Sequence, residues 1–128
     1  MTVFGDGTQT RSFCHVTDLI DGLYRLAESG EHEPVNIGNP AELTLGELAE
    51  TVIRLTDSES RVVYSALPLD DPKVRRPNIA RASERLGWEP RVTLEEGLTD
   101  MIAFERTNKS HSLTGLRPEK PKAEGARP

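Results

Sequence analysis

Residues 5–18 read Gly-Asp-Gly-Thr-Gln-Thr-Arg-Ser-Phe-Cys-His-Val-Thr-Asp, and this run marks a turn, a strand and a helix in succession. The Gly5-Asp6-Gly7 turn frees the backbone from the usual limits on φ. The alternating stretch 11–16 predicts a short strand, and Thr17 as an N-cap predicts a helix that starts at Asp18. An arginine at the head of a strand, beside a glycine loop, suits an anion such as a diphosphate. A hairpin turn followed by an ordinary surface arginine is the simpler interpretation.

The rest of the chain alternates short strands with helices, which predicts an α/β fold with about four helices. Strands are predicted at residues 2–4, 11–16, 35–37 and 61–67. Helices are predicted at 18–29, after the capping-box pairs Thr44/Glu47 and Thr93/Glu96, and at 79–86 before Gly87. In the first helix Leu19, Leu23 and Leu26 form one apolar stripe. The loop 68–77 carries mixed charge, so its acidic pair could bind a metal or act as an acid/base pair, although a self-neutralising surface loop is the simpler interpretation.

Composition limits the class of protein. The chain has 128 residues, 35% of them hydrophobic and 5% aromatic, which predicts one domain with a lean and mostly aliphatic core. A net charge of −5 argues against nonspecific binding to nucleic acid or to an anionic membrane. Cys14 is the single cysteine, and no apolar run approaches the ~20 residues of a membrane span. We therefore expect a cytoplasmic protein with no membrane and no nucleic-acid partner.

Charge divides the chain in two. Residues 107–128 hold five Lys or Arg and two Asp or Glu, and few apolar residues. Such a segment cannot bury enough apolar surface to offset the loss of chain entropy. The sequence predicts a folded region at 1–106 and a disordered basic tail at 107–128.

Motifs for catalysis or cofactor binding are missing from the sequence. Gly5, Gly7 and Thr10 echo a dinucleotide fingerprint, but the third glycine is absent and a strand follows the loop instead of a helix. Neither Tyr24 nor Tyr64 is followed by a lysine four residues later. From the residues alone we reach a small α/β module with an anion-friendly arginine loop.

Three motifs in order resemble the C-terminal part of the NAD-dependent epimerase/dehydratase family, which are extended short-chain dehydrogenases that act on nucleotide sugars. The motifs are Val-Phe-Gly-Asp-Gly-Thr-Gln-Thr-Arg-Ser-Phe at 3–13, Val-Thr-Asp-Leu at 16–19 and Pro-Val-Asn-Ile-Gly-Asn-Pro at 34–40. Asp-Asp-Pro-Lys-Val-Arg-Arg-Pro-Asn-Ile at 70–79 and Leu-Gly-Trp-Glu-Pro at 86–90 resemble the UDP-glucuronate decarboxylases of that family. The resemblance covers about residues 2–106.

The resemblance implies the C-terminal, UDP-sugar-binding part of a Rossmann-type fold. The N-terminal half of such an enzyme holds NAD and the catalytic Tyr-x-x-x-Lys pair, so no catalytic, cofactor-binding or metal-binding residue is expected in this chain. The complete enzyme oxidises C4 of UDP-glucuronate with NAD, releases CO2, returns the hydride to give UDP-xylose, and is expected to be a homodimer. By itself this chain is expected to be inactive, with the surfaces that face the other half exposed. The alternatives are a 4,6-dehydratase, a 4-epimerase or a non-catalytic UDP-sugar-binding remnant.

The resemblance also implies the roles of individual residues. Arg11 corresponds to the arginine that reaches the substrate diphosphate, and Arg75 to a second phosphate or sugar contact, with Arg76 as its alternative one position on. The backbone from Val3 to Gly5 corresponds to the segment near the uridine. The expected substrate-binding residues are Val3, Gly5, Gln9, Arg11, Asn36 and Arg75.

Overall fold

The computed structural model describes residues 1–67 and 74–108, which form short strands and helices in an α/β arrangement. The strands are β1 (Thr2–Phe4), β2 (Thr10–Ser12), β3 (Glu42–Thr44) and β4 (Val63–Ser65). The helices are α1 (Val16–Glu28), α2 (Leu45–Thr56), α3 (Ala80–Leu86) and α4 (Leu94–Asn108). The predicted class and the four helices are confirmed within the described ranges.

The strands form two separate pairs. β1 runs parallel to β4, with Val3 opposite Tyr64. β2 runs antiparallel to β3, with Arg11 opposite Leu43. Although only a short glycine loop joins β1 to β2, the two strands belong to different sheets, so the hairpin interpretation is wrong.

The centre of the fold is the contact between α1 and the segment after α3. Trp88 is 1% exposed and its indole N–H donates to the backbone oxygen of Asp18 over 3.1 Å. The buried Asp18 carboxylate accepts the backbone N–H groups of Arg91 and Val92 at 3.0 and 2.9 Å. The buried hydrophobic residues of the described ranges are mostly aliphatic, as predicted, and the largest fully buried side chain is the indole of Trp88. The indole can be buried at this position because its N–H has a hydrogen-bond acceptor in the backbone oxygen of Asp18.

Both capping boxes are confirmed. The Thr44 side chain accepts the backbone N–H of Glu47, and the Glu47 carboxylate accepts the N–H of Thr44. Thr93 and Glu96 exchange the same bonds before α4. The predicted end of α3 is also confirmed, because Gly87 closes it with a φ of 58°.

The start of α1 differs from the prediction. The helix begins at Val16, with His15 at the N-cap and no side-chain cap. Thr17 lies inside the first turn, and its hydroxyl is 2.8 Å from Nδ1 of His15. The Thr17 N-cap is therefore wrong by two positions. Of the apolar stripe predicted on α1, Leu19 and Leu23 are exposed, and the buried residues are Asp18 and Gly22.

Strand boundaries also differ. β2 ends at Ser12 instead of residue 16, and β4 spans three residues of the predicted 61–67. Residues 35–37 form no strand with any described part of the chain, and β3 was not predicted at all. A strand requires a hydrogen-bonded neighbour, which a local pattern does not supply. α4 continues to Asn108, and the predicted tail beyond it and the loop residues 68–73 lie outside the described residues.

Gly22 marks the closest approach of α1 to its neighbours. A Cβ at this position would lie 2.5 Å from Cγ2 of Ile37 and 2.9 Å from Cε2 of Trp88. We expect Gly22→Ala to destabilise the fold by about 1–3 kcal/mol, because the core must shift to admit the methyl group. Urea unfolding followed by Trp88 fluorescence measures the change.

Gly30→Ala is the matched control. A Cβ at Gly30 meets nothing within 4 Å, so its free energy of unfolding should stay within about 0.5 kcal/mol of the parent chain. Equal losses for the two variants would contradict the packing described for α1.

Candidate anion-binding loop

The loop between β1 and β2 is held at both ends by backbone bonds. Gly5 and Gly7 have φ values of 73° and 80°, a conformation that glycine adopts without strain. The N–H of Gly5 donates to the carbonyl of Ser65 over 2.8 Å. The carbonyl of Gly7 accepts the N–H of Gly46 at 3.0 Å, which ties the loop to the first turn of α2. The loop is thus fixed between the parallel strand pair and a helix.

Gln9 lies inside this loop. Its side chain is buried, and its amide nitrogen donates to the carbonyl of Phe4, closing the loop across five residues. The backbone oxygen of Gln9 accepts the N–H of Leu45 at 3.1 Å. In this arrangement the side chain of Gln9 shapes the loop from within.

Arg11 lies at the centre of β2, the strand that leaves the loop. Its guanidinium donates from Nη1 to the carbonyl of Thr10 over 2.7 Å. The Thr10 hydroxyl donates to Glu42 on β3, also over 2.7 Å. The other carboxylate oxygen of Glu42 lies 3.7 Å from Nη1 of Arg76. One acidic side chain therefore links the strand of Arg11 to the basic segment before α3.

Asn36 lies at the far side of that basic segment. Its side-chain amide donates to the carbonyl of Asn78 over 3.2 Å. A cleft of about 450 Å³ adjoins this contact, lined by Pro40, Arg76, Pro77, Asn78, Ile79 and Ala80. Arg75 is exposed at the start of the same segment.

The predicted residues fall into two groups. Val3, Gly5, Gln9 and Arg11 belong to the loop and its two strands. Asn36 and Arg75 lie beside the cleft without lining it: Asn36 bonds to Asn78 of its lining, and Arg75 precedes Arg76, which Glu42 connects to β2. Val3 is buried, so its side chain is closed to a ligand. Sequence reasoning missed Glu42, because no motif distinguishes it from other surface acids.

The amide groups at the start of α2 are not open to an anion. Gln9 and Gly7 accept the N–H groups of Leu45 and Gly46, and the Thr44 hydroxyl accepts that of Glu47. The bonds from Thr44 also hold the pKa of the Glu47 carboxyl below its usual value. This helix terminus is therefore closed to an anion that binds near the loop.

Two other kinds of chemistry near this loop, a reactive thiol and a metal site, find little support. Burial raises the pKa of the Cys14 thiol, with the charge of Asp18 adding to the effect, so its thiolate is disfavoured at neutral pH. Across the described ranges no three His, Cys, Asp or Glu side chains lie together as metal ligands would. The acidic pair 70–71, considered as a metal site, lies outside the described residues.

The glycine loop does not fit NAD. A dinucleotide fingerprint leads directly into a helix whose N-terminus receives the pyrophosphate. Here the loop leads into β2, and the loop's own carbonyls accept the N–H groups at the N-terminus of α2.

No described helix has the length and apolar character of a membrane span.

This fold and its motifs define a family. The chain belongs to the GDP-mannose 4,6 dehydratase family, whose model matches residues 1–101. This match confirms the resemblance to nucleotide-sugar epimerases and dehydratases.

Similar curated proteins are UDP-glucuronic acid decarboxylases. UDP-glucuronic acid decarboxylase 3 of Arabidopsis thaliana is 52% identical over 98 residues, which cover 77% of this chain and 29% of that protein. UDP-glucuronic acid decarboxylase 1 of Danio rerio is 43% identical over 123 residues, covering 96% of this chain and 29% of that protein. This chain thus spans under a third of the length of these relatives.

Solved structures give the same fold. The UDP-glucose 4-epimerase of Thermotoga maritima, solved with UDP-glucose, matches with a TM-score of 0.81 and 30% identity over 85% of this chain and 35% of its own. MoeE5, solved with UDP-glucuronic acid and NAD, matches with a TM-score of 0.78 and 27% identity over 84% of this chain and 37% of its own. The predicted Rossmann-type epimerase/dehydratase fold is confirmed.

The buried amide of Gln9 provides a test of the loop. Gln9→Leu keeps much of the side-chain volume but leaves the Phe4 carbonyl without its donor. We expect a loss of about 1–3 kcal/mol in the free energy of unfolding, because a shielded acceptor loses its partner. Thermal unfolding followed by circular dichroism measures it.

Thr8→Val is the control, because the Thr8 hydroxyl is exposed and bonds only to the neighbouring Asp6 among the contacts described. Its effect should stay below about 1 kcal/mol. If Gln9→Leu proved as mild as this control, the side chain of Gln9 would not hold the loop.

Proposed function

We propose that this chain forms the UDP-sugar-binding portion of an NAD-dependent UDP-glucuronate decarboxylase. The observation that carries the proposal is the 52% identity to an Arabidopsis UDP-glucuronic acid decarboxylase, which includes most of the chain. The structure supports the proposal further, because backbone hydrogen bonds hold the glycine loop in place and Arg11 extends from the paired strand that follows it.

The ligand group that this loop would recognise is a diphosphate. A guanidinium forms paired, charge-assisted hydrogen bonds with phosphate oxygens, which a lysine cannot reproduce. Arg11 starts from a fixed backbone position, since β2 pairs with β3 and Gln9 closes the preceding loop. Little conformational freedom of the backbone remains to be lost when the anion binds.

Arg75 is the proposed second contact, and Arg76 has a different role. Arg76 faces Glu42, and this carboxylate offsets its charge. Arg75 forms no ion pair with the described residues. We assign the anion to Arg75, and to Arg76 the task of holding its segment against β3.

The remaining positions provide the nucleoside and sugar contacts. Val3 and Gly5 would offer backbone groups to the uracil, and Gln9 would act by shaping the loop between them. Asn36 would approach the ligand from the cleft, where its amide now bonds to Asn78. These residues bind and orient the UDP-sugar, and none of them transfers a proton or a hydride.

Catalysis belongs to the part of the enzyme that binds NAD. The sequence has no Tyr-x-x-x-Lys pair, and its glycine loop does not fit the cofactor. A UDP-sugar-binding module without catalysis is the second candidate function of the isolated chain. Residence in the cytoplasm and dimerisation of the full enzyme stay predictions.

UDP binding tests the proposal. We expect the 128-residue chain to bind UDP saturably at a 1:1 ratio by isothermal titration calorimetry. Uridine, which lacks the diphosphate, should bind at least tenfold more weakly. Arg11→Ala should weaken UDP binding at least tenfold, equivalent to about 1.4 kcal/mol, and Arg11→Lys should recover only part of it.

Two neighbouring arginines provide the matched comparison. Arg75→Ala should also weaken UDP binding, whereas Arg76→Ala should change it less, since Glu42 already engages that guanidinium. Equal affinity for UDP and uridine, or an Arg11→Ala variant that binds normally, would contradict the assignment.

NAD binding is a separate prediction. The purified chain should show no saturable binding of NAD in calorimetry, because its glycine loop opens into a strand. UDP serves as the positive control in the same preparation. Tight binding of NAD at a 1:1 ratio would refute our assignment of the cofactor to another part of the enzyme.

A further inference from the structure

The side chain of Glu42 joins two segments that are far apart in the chain. One carboxylate oxygen accepts the hydroxyl of Thr10 at 2.7 Å, and the other lies 3.7 Å from Nη1 of Arg76. Glu42 belongs to β3, which is paired with β2 and leads directly into the capped helix α2. Its side chain is 27% exposed, against 60% for that of Arg76. The carboxylate is therefore the anchored member of the ion pair, and the guanidinium is the member that it restrains. We call these two contacts the Glu42 bridge.

The segment before α3 lies along the stretch of chain that leads to β3. The amide of Asn36 bonds to the carbonyl of Asn78 at 3.2 Å. One position earlier in the segment, Cγ of Pro77 lies 3.2 Å from the place where a Cβ on Gly38 would be. The Glu42 bridge is the next contact in this series, and Arg75 follows immediately beyond it. Among the described residues, the bridge is thus the contact nearest to Arg75.

The charge of this carboxylate is unfavourable for an anion site. Thr10 and Arg76, the two partners of Glu42, are each adjacent in sequence to an arginine that we assign to the diphosphate. A negative charge close to both arginines repels an anionic ligand. Charge alone therefore predicts that replacing the carboxylate with an amide tightens UDP binding. A role in holding the arginine segment predicts the opposite change, so the sign of the effect separates the two.

We propose that Glu42 is a positioning residue of the UDP-sugar site. By restraining Arg76, it fixes the backbone from which Arg75 reaches the diphosphate, and it ties that backbone to the strand of Arg11. Glu42 itself does not contact the ligand. The inference deepens the proposed function and rests on it. Because exposed ion pairs change an equilibrium by about fivefold at most, the expected effect is smaller than that of removing Arg11.

Titrations with UDP and uridine test this role in the 128-residue chain. Glu42→Gln keeps the length of the side chain and an oxygen for the Thr10 hydroxyl, but it removes the charge that restrains Arg76. We expect this variant to bind UDP about threefold more weakly by calorimetry. Uridine, which has no diphosphate, should bind to it as it binds to the unmodified chain. A general loosening of the fold would weaken both ligands.

A double variant tests whether Glu42 acts through Arg76. Arg76→Ala removes the other member of the ion pair and should weaken UDP binding by a similar factor, which is smaller than that for Arg75→Ala. The variant that combines Glu42→Gln with Arg76→Ala should bind UDP no more weakly than Arg76→Ala alone, because the two substitutions break the same contact.

Glu50→Gln is the matched control. Glu50 is exposed on α2, and its carboxylate has no partner among the described residues. The substitution removes the same charge as Glu42→Gln but breaks no contact. It should leave the affinities for UDP and uridine unchanged. Thermal unfolding followed by circular dichroism reports whether each variant keeps the fold.

The outcomes separate this inference from the proposed function. Four results would each overturn the role of Glu42: unchanged or tighter UDP binding by Glu42→Gln, an equal loss of UDP and uridine binding, losses that multiply in the double variant, or an equal loss in Glu50→Gln. If the unmodified chain meanwhile binds UDP and discriminates against uridine, the proposed function stands. An unmodified chain that does not bind UDP, or that binds uridine equally well, refutes both.

Discussion

The described fold depends on the contact between Asp18 and the segment 88–92. One residue of α1 accepts the Trp88 indole through its backbone and the N–H groups of Arg91 and Val92 through its carboxylate. Hydrogen bonds to a charged group contribute about 1.5–3 kcal/mol each, which is large beside the stability of a small domain. Together with the bonds from Arg25 to the carbonyls of Leu86 and Gly87, they hold α1 against the segment that follows α3, so closely that Gly22 leaves no room for a side chain.

The candidate anion-binding loop is likewise held in place by a few hydrogen-bonding groups. Gln9 closes the loop, α2 holds it through two amides, and Glu42 joins β2 to the basic segment. Glu42 also engages Arg76, and under the proposed function the adjacent Arg75 is the one that contacts the ligand. The proposed binding of a diphosphate therefore depends on the contacts that hold the loop as much as on Arg11.

Turns and helix ends, which depend on neighbouring residues, were predictable from the sequence. Contacts between residues far apart in the chain were not. Gly5, Gly7, Gly87 and both capping boxes act within a few residues, so their turns and helix ends followed from the sequence. β3 and the role of Glu42 depend on pairing across thirty residues. Leu19, Leu23 and Leu26 were predicted as one apolar face of α1, but Leu19 and Leu23 are exposed, because burial depends on which elements surround the helix. The strand expected at 35–37 needs a partner that no local pattern provides.

The central claim is that the glycine loop and the arginine segment bind one UDP-sugar. Titrating the isotope-labelled chain with UDP-glucuronate, and following its backbone amides by nuclear magnetic resonance, tests this most directly. The account predicts shifts concentrated at residues 3–11, 36, 75, 76 and 78. Shifts confined to the other cleft, of about 470 Å³ and lined by Thr56, Ser58, Met101, Ile102, Glu105 and Arg106, would contradict it, as would no shifts at saturating ligand.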